Sequence, residues 1–345
     1  MSGTASALDL SSPLLDLLGQ QFSREGLRQL LGAVGEQVPA HVWKQALGAP
    51  LESVLSRPGK EFRARLLTTS YLLAGGAPPI AAEIPALLEI LHAGSLVVDD
   101  IEDDSESRRG APSLHVAYGT PVALNTGNWL YFWALALVER LPVAAPVQLA
   151  MLRRMSRAML ACHFGQALDI SIMVDGLARA DVPVVVCAST RLKTGRLMQL
   201  AAELGALAAG AEDEALTALA DFGCQLGAGL QMLDDLGGLT SQRRLHKGFE
   251  DLRLGRLTWP WAWVAESEPD VAYARLRELA REVRSGRAPA ERLAARLRDR
   301  VGELGRKRVH EHLTEALGEL RTRLGDSESL SALASEIERL EKSYD

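Results

Sequence analysis

An all-α fold is what this sequence predicts, and three observations carry the prediction. Ala and Leu dominate a chain that is 47% hydrophobic but only 5% aromatic, the composition of packed helices rather than of pleated strands. Runs of β-branched residues are nearly absent, Val182 to Val186 being the main exception. Apolar residues recur at helical spacing almost throughout, cut by Gly, Pro and short polar clusters. At 345 residues the chain can build one large core or two smaller ones. No linker divides it, so residues 1–345 read as a single helical bundle, with a core over about 50–265 and amphipathic helices over 270–345.

Composition also excludes. A formal charge of −6 argues against a nucleic-acid partner, which would require a basic face. The first ten residues lack a basic segment followed by a long apolar one, so no secretory signal is expected. Charge or Gly breaks every apolar stretch before about 18 residues, so no membrane span is expected. Cys162, Cys187 and Cys224 are scattered without metal spacing and read as small core residues in a reducing compartment. The expected location is cytoplasmic.

Punctuation divides the chain in order. Breaks fall near Arg57-Pro58-Gly59, Gly75 to Pro79, Arg109 to Pro112, Leu141-Pro142, Asp175-Gly176, Gly210 to Asp213 and across Gly237 to Gly255, giving about a dozen helices joined by short links. The segment Leu87 to Val98 is an apolar helix running straight into Asp99-Asp100-Ile101-Glu102-Asp103-Asp104. On a helix, Asp99 and Asp103 share a face, with Asp100 and Asp104 beside them. An acidic run of this kind is often only a solvated helix end, but here it terminates a segment of buried character. Stacked carboxylates repel unless a cation holds them. Hard oxygen ligands suit Mg²⁺, which takes one or two carboxylates and completes its shell with water and phosphate oxygens. Arg108 and Arg109, just beyond, suit the phosphates of the same ligand.

Later elements repeat this chemistry. A helix starting near Asn128 carries the aromatic cluster Trp129, Tyr131, Phe132 and Trp133. Lys193-Thr194-Gly195 sits between two helical runs. Gln231 lies at i−3 and i−4 to Asp234 and Asp235, so its amide neighbours both carboxylates; Gly237-Gly238 reads as the stop of that helix. Lys247 and Arg256 flank Asp251. From Pro269 onward Arg, Glu, Ala and Leu form amphipathic surface helices, with Gly286, Pro289 and Gly302 interrupting any long heptad.

Over roughly residues 50 to 265 the chain resembles the trans-isoprenyl diphosphate synthases, the polyprenyl synthetase family. Asp99-Asp100-Ile-Glu-Asp103 with Arg108-Arg109-Gly110 resembles the family's first aspartate-rich motif. Lys193-Thr194-Gly195 resembles its central lysine motif, Gln231-Met-Leu-Asp234-Asp235 its second aspartate-rich motif, and Lys247 to Asp251 its trailing loop. The resemblance implies an isoprenoid-synthase bundle around a central substrate cavity, a homodimer, and Mg²⁺-dependent condensation of an allylic diphosphate with isopentenyl diphosphate. It assigns Asp99, Asp103, Lys193 and Asp234 to catalysis, and Asp99, Asp100, Asp103, Asp234 and Asp235 to metal. Arg108, Lys193, Thr194, Gln231 and Lys247 would face the allylic diphosphate; Lys60, Arg63, His92 and Arg109 would face isopentenyl diphosphate. Two departures stand out. The second motif has Gly238 where the family usually has another aspartate, and the first substrate motif has Pro58, Glu61 and Ala64 at three variant positions.

One helical turn rises about 5.4 Å, close to one isoprene unit. Ser95 and Gly94, one turn before Asp99, are small, and Leu91 lies one turn deeper. The resemblance implies that an aromatic there would floor the cavity early. A product longer than fifteen carbons is therefore expected, geranylgeranyl diphosphate first among them, and Gly94→Phe is expected to shorten it. Two other readings fit the motifs less fully: a terpene cyclase on the same fold, which needs no second substrate, and a non-catalytic partner subunit of a synthase, which would not keep the first aspartate cluster.

Overall fold

Helical spacing of Ala and Leu becomes a layered helical bundle in the computed structural model, which describes residues 11–57, 59 and 62–344. Five short helices open it: α1 (Ser11–Gln21), α2 (Arg24–Leu31), α3 (Ala33–Gln37), α4 (Ala40–Trp43) and α5 (Ala49–Leu55). Then come α6 (Phe62–Leu73), α7 (Glu83–Glu102), α8 (Leu114–Tyr118), α9 (Thr120–Leu137) and α10 (Ala145–Ser171). Next are α11 (Val182–Thr190), α12 (Arg196–Ala209), α13 (Asp213–Thr240), α14 (Leu245–Leu254) and α15 (Trp259–Ser267). The chain closes with α16 (Asp270–Arg284), α17 (Ala290–Leu324) and α18 (Glu328–Lys342). The fold is all-α, as expected.

Small residues set how closely the central helices approach, because without a Cβ one backbone can lie against another. A Cβ at Gly94 of α7 would stand 2.9 Å from the Gly127 carbonyl oxygen of α9. One at Gly205 of α12 would stand 2.1 Å from the Leu67 carbonyl oxygen of α6, and one at Gly223 of α13 2.7 Å from the Met198 carbonyl oxygen of α12. The pairs α7–α9, α6–α12, α12–α13 and α13–α17 form the middle of the bundle. Trp261, Trp263, Leu67, Leu87, Leu130 and Met155 are among the side chains they bury completely. Buried contacts extend without interruption from Leu14 on α1 to Ile337 on α18.

Several local expectations are corrected. Gly237-Gly238 does not stop a helix: α13 runs on to Thr240, because both glycines are buried and packed against neighbours. Lys193-Thr194-Gly195 does sit between two helical runs, and the connection is itself helical, a π-turn, Arg191–Gly195, joining α11 to α12. Gly302 lies inside α17 rather than interrupting it, and Val182–Val186 is helical within α11. The aromatic helix begins at Thr120, not near Asn128. The acidic run is helical only through Glu102. Asp103 caps α7 and Asp104 has φ +51°, so Asp100 and Asp104 do not stack on one face. A two-strand hairpin, β1 (Ser107–Arg108) and β2 (Ala111–Pro112), follows. Its reversal through Gly110, at φ +77°, is one that a glycine adopts freely.

Candidate active site

The end of α7, the hairpin, the π-turn, α10, α13 and α14 converge on one cavity of about 790 Å³. Asp99, Asp103, Arg108, Lys193, Asp234 and Lys247 line it together with Leu91, Tyr131, Ala158, Met159 and Met198. Asp99 and Leu91 are two helical turns apart on α7, about 12 Å of rise. Charge therefore gathers at the C-terminal end of α7, and apolar wall lies further back along it.

Each charged group is held by a neighbour. Gln166 on α10 donates to Asp99 Oδ1 at 3.1 Å and to Glu102 Oε2 at 2.6 Å. Arg256 donates to Asp103 Oδ1 at 2.5 Å and also to the Asp169 carbonyl, which joins α7 to α10. Burial, then Asp99 nearby, raise the Asp103 pKa, and Arg256 opposes them. Lys193 Nζ lies 2.5 Å from Asp169 Oδ2. Gly165 makes room for this, since a Cβ there would stand 2.8 Å from Lys193 Cγ.

The isopentenyl-side expectations meet at α6 and α7. Arg63 Nη1 lies 3.1 Å from His92 Nε2. A guanidinium can only donate, so Nε2 is the acceptor and the ring proton sits on Nδ1. Burial, reinforced by Arg63, Arg109 and Arg108, pushes the His92 pKa well below the ordinary value, and the ring is neutral. Burial also lowers the Arg63 pKa, with Glu89 opposing. Arg109 donates to the Arg57 carbonyl at 3.0 Å and lies over Gly59, where a Cβ would come within 3.1 Å of its guanidinium. Lys60 lies outside the described residues.

The second motif is already internally bonded. Thr194 Oγ1 donates to Gln231 Oε1 at 2.7 Å, and Gln231 Nε2 donates to Asp235 Oδ1 at 2.7 Å. The Trp259 backbone N–H donates to Asp235 Oδ2 at 2.8 Å. Burial pushes the Asp235 pKa up to about 8 against these hydrogen bonds. Burial likewise takes Asp251 up to about 7, opposed by Lys247. Arg244 is bonded to Asp234 Oδ1, and Lys247 Nζ lies 3.9 Å from Oδ2.

Two expected site residues, Asp100 and Gly94, are placed differently, and Asp235 has a structural task besides. Asp100 is 3% exposed and accepts from Arg108 Nε at 2.8 Å, so its carboxylate anchors the hairpin arginine rather than facing the cavity as a metal ligand. Asp235 lines the cavity and accepts from Gln231 and Trp259, so it also braces α13 against α15. Gly94 faces α9, not the cavity, so it is a helix contact instead of a wall of the product chamber. Of the aromatic cluster, Tyr131 lines the cavity, whereas Trp129 and Trp133 stack on each other and Phe132 is 70% exposed. Gln166, Asp169, Arg244 and Tyr344 line the cavity and were not picked out from sequence. For Gln166 and Asp169 a signal existed: they fall at i+4 and i+7 from Cys162 on a long helix, polar positions continuing an otherwise small and apolar stripe.

An all-helical cavity with a carboxylate-and-cation rim and an apolar interior belongs to an enzyme for polyanionic ligands with long apolar parts. The Polyprenyl synthetase family model matches residues 44–295. A geranylgeranyl pyrophosphate synthase of Eremothecium gossypii is 30% identical over 66% of this chain and 72% of its own length. A geranylgeranyl diphosphate synthase of Sulfolobus acidocaldarius is 34% identical over 58% of this chain and 61% of its own length. Among solved structures, geranylgeranyl pyrophosphate synthetase from Pyrococcus horikoshii superposes with a TM-score of 0.72 at 23% identity, covering 96% of this chain and 98% of that one. A decaprenyl diphosphate synthase from Rhodobacter capsulatus gives 0.74 at 19% identity, over 97% and 99%. These two likenesses speak for the fold. The chain belongs to the polyprenyl synthetase family, the trans-isoprenyl diphosphate synthases, and is a prenyltransferase. Among the described residues, no helix is long and apolar enough to cross a membrane.

Proposed function

We propose that this chain condenses isopentenyl diphosphate with an allylic prenyl diphosphate, with Mg²⁺ as cofactor and geranylgeranyl diphosphate as product. The observation that carries the reading is the single cavity shared by Asp99, Asp103, Arg108, Lys193 and Lys247 with Leu91, Tyr131 and Met198. The donor set fits a hard divalent ion. Asp99 and Asp103 offer only oxygen; Gln166 and Arg256 bond their Oδ1 atoms, and Arg108 stands 3.5 Å from Asp99 Oδ2, where a diphosphate would meet both arginine and ion. Among the described residues no three His, Cys, Asp or Glu side chains group tightly enough to hold a metal by themselves. An ion held at Asp99 and Asp103 would complete its shell with phosphate and water oxygens. When bound at Asp99 and Asp103, Mg²⁺ supplies Lewis-acid neutralisation of the diphosphate.

The chain's own residues do the rest. Lys193 and Arg108 donate to diphosphate oxygens as negative charge develops on the leaving group. Neutral His92 holds Arg63 toward the second diphosphate. The apolar walls keep water from the allylic cation left when the carbon–oxygen bond breaks. The isopentenyl double bond attacks that cation, and the proton lost from the new C–C product passes to the released diphosphate.

Ser95, small and on the cavity wall, supports passage of the growing tail, with Leu91 and Tyr131 further along. Relatives named geranylgeranyl diphosphate synthase agree with that length. A homodimer is supported by apolar side chains left uncovered on two neighbouring helices: Phe132 on α9, 70% exposed, with Leu160 and Phe164 on α10 at 63% and 71%. The test is incubation of the purified protein and Mg²⁺ with farnesyl diphosphate, with and without isopentenyl diphosphate. A twenty-carbon diphosphate formed only with both substrates is expected. Hydrocarbon from farnesyl diphosphate alone would replace the reading with a cyclase, and no turnover in either would leave a partner subunit.

A further inference from the structure

Gly237 and Gly238 follow the second aspartate pair without ending its helix, and each makes room for a different neighbour. A Cβ at Gly237 would stand 3.0 Å from Arg244 Cδ and 3.1 Å from Tyr344 Cδ1. A Cβ at Gly238 would stand 3.1 Å from the Gly248 Cα of α14. The first notch seats Arg244 and Tyr344 against α13; the second seats α14 itself. Arg244 lies over the Tyr344 ring, its guanidinium carbon 3.9 Å from the ring centroid, within cation–π range. From there it bonds Asp234 Oδ1, while Lys247 stands 3.9 Å from Oδ2. One carboxylate thus has a cation at each oxygen, and position 238 contributes no second carboxylate. Asp234, Arg244, Lys247 and Tyr344 all line the cavity.

We infer that Asp234 holds a guanidinium instead of a metal ion, and that Arg244, clamped by Tyr344 in the Gly237 notch, is a diphosphate-binding residue of the second motif. The inference rests on reading the cavity as a prenyl diphosphate site. A guanidinium is a planar fork of five N–H donors, so one edge keeps the carboxylate while the other is available to phosphate oxygens. A divalent ion at Asp234 would have to displace Arg244 from Oδ1 and sit beside the positive charges of Arg244 and Lys247. The ring and the notch also restrict the arginine's rotamers, so less freedom is lost when a phosphate arrives. A side chain at position 238 would press on the Gly248 backbone, 3.1 Å from its Cβ.

The test counts Mn²⁺ bound per chain by electron paramagnetic resonance, using the full-length protein with an unreactive thiolo analogue of a prenyl diphosphate. Asp234→Asn is expected to bind as many Mn²⁺ ions as the unaltered chain. Arg244→Gln is expected to bind the analogue at least about tenfold more weakly, the scale of one charge-assisted phosphate contact. Tyr344→Ala, which removes both the ring under Arg244 and the hydroxyl bonded to it, should lose part of the affinity. Circular dichroism checks the folding of each variant, and Arg244→Lys, which keeps the charge without the fork, should fall between. Loss of one Mn²⁺ in Asp234→Asn, or an unchanged affinity in Arg244→Gln and Arg244→Lys, overturns the inference and leaves the prenyl diphosphate reading standing. Failure of the unaltered chain to bind the analogue overturns both.

Discussion

Cys162 shows what the cavity does to a single group. Its thiol lines the wall and donates weakly to the Lys193 carbonyl at 3.7 Å. Burial pushes its pKa up to about 11, against the opposing pull of Arg196, Lys193 and Arg63. A raised thiol pKa means less thiolate at any given pH, and thiolate is the nucleophile. At pH 8, alkylation of Cys162 should therefore run about a hundredfold slower than that of a free thiol, climbing as pH approaches 11; mass spectrometry of iodoacetamide-treated protein measures it. Ser95 is the residue on which product length should turn. Ser95→Phe puts an aromatic on the cavity wall one turn from Asp99, so shorter products are expected by chromatography of the reaction. An unchanged length would remove α7 as the ruler. Gly94→Phe, which sequence alone recommends, should instead disturb the α7–α9 contact.

Among the elements, α13 and α14 depend on each other through bare backbone. A Cβ at Gly248 would stand 2.0 Å from the Gly238 carbonyl oxygen. Alanine is the better helix former, worth about 1 kcal/mol over glycine in an open helix. At Gly248 the collision should win: Gly248→Ala is expected to destabilise by about 1–3 kcal/mol, as overpacking does, and to misplace Lys247 beside Asp234. Gly318, exposed in α17 with nothing within 4 Å of its would-be Cβ, is the control. Gly318→Ala should raise stability by about 0.5–1 kcal/mol. Denaturant melts of the two variants check both signs. The π-helical turn that carries Lys193 and Thr194 was not foreseeable from Arg191-Leu-Lys-Thr-Gly195, because an extra residue in a helical turn leaves no periodicity mark.

Across the whole molecule, buried contacts run from the opening helices to the last, with Leu14, Leu130, Trp263 and Ile337 in one cluster. We read the chain as one folding unit that pairs with a second copy through the exposed apolar residues of α9 and α10. Heating is expected to give a single cooperative transition whose midpoint rises with protein concentration, because a dimer's stability includes its association. Two separate transitions would divide the C-terminal helices from the core, and a concentration-independent midpoint would argue against the dimer. Closure of the site draws on the same unity. Arg65 on α6 and Glu336 on α18 are 2.7 Å apart, and the following turn carries Tyr344 to the cavity.

By itself the sequence determined the fold class and the family, and it singled out charged residues that the fold gathers at one cavity. Composition and helical periodicity are local properties, and Asp99, Asp103, Lys193 and Asp234 sit in short motifs whose residue types announce their chemistry. Only the tertiary structure decided what those residues face. Asp100 turns to Arg108 and Asp235 to Gln231 and Trp259, because a buried carboxylate is stable only where donors satisfy it. The same holds for Gly94, Gly237 and Gly238, which sequence reads as a product wall and a helix stop. Each is a place where another helix or side chain must come close, and the partners Gly127, Arg244 and Gly248 lie 33, 7 and 10 residues further along the chain. Contact distance sets their roles, and no local pattern encodes it.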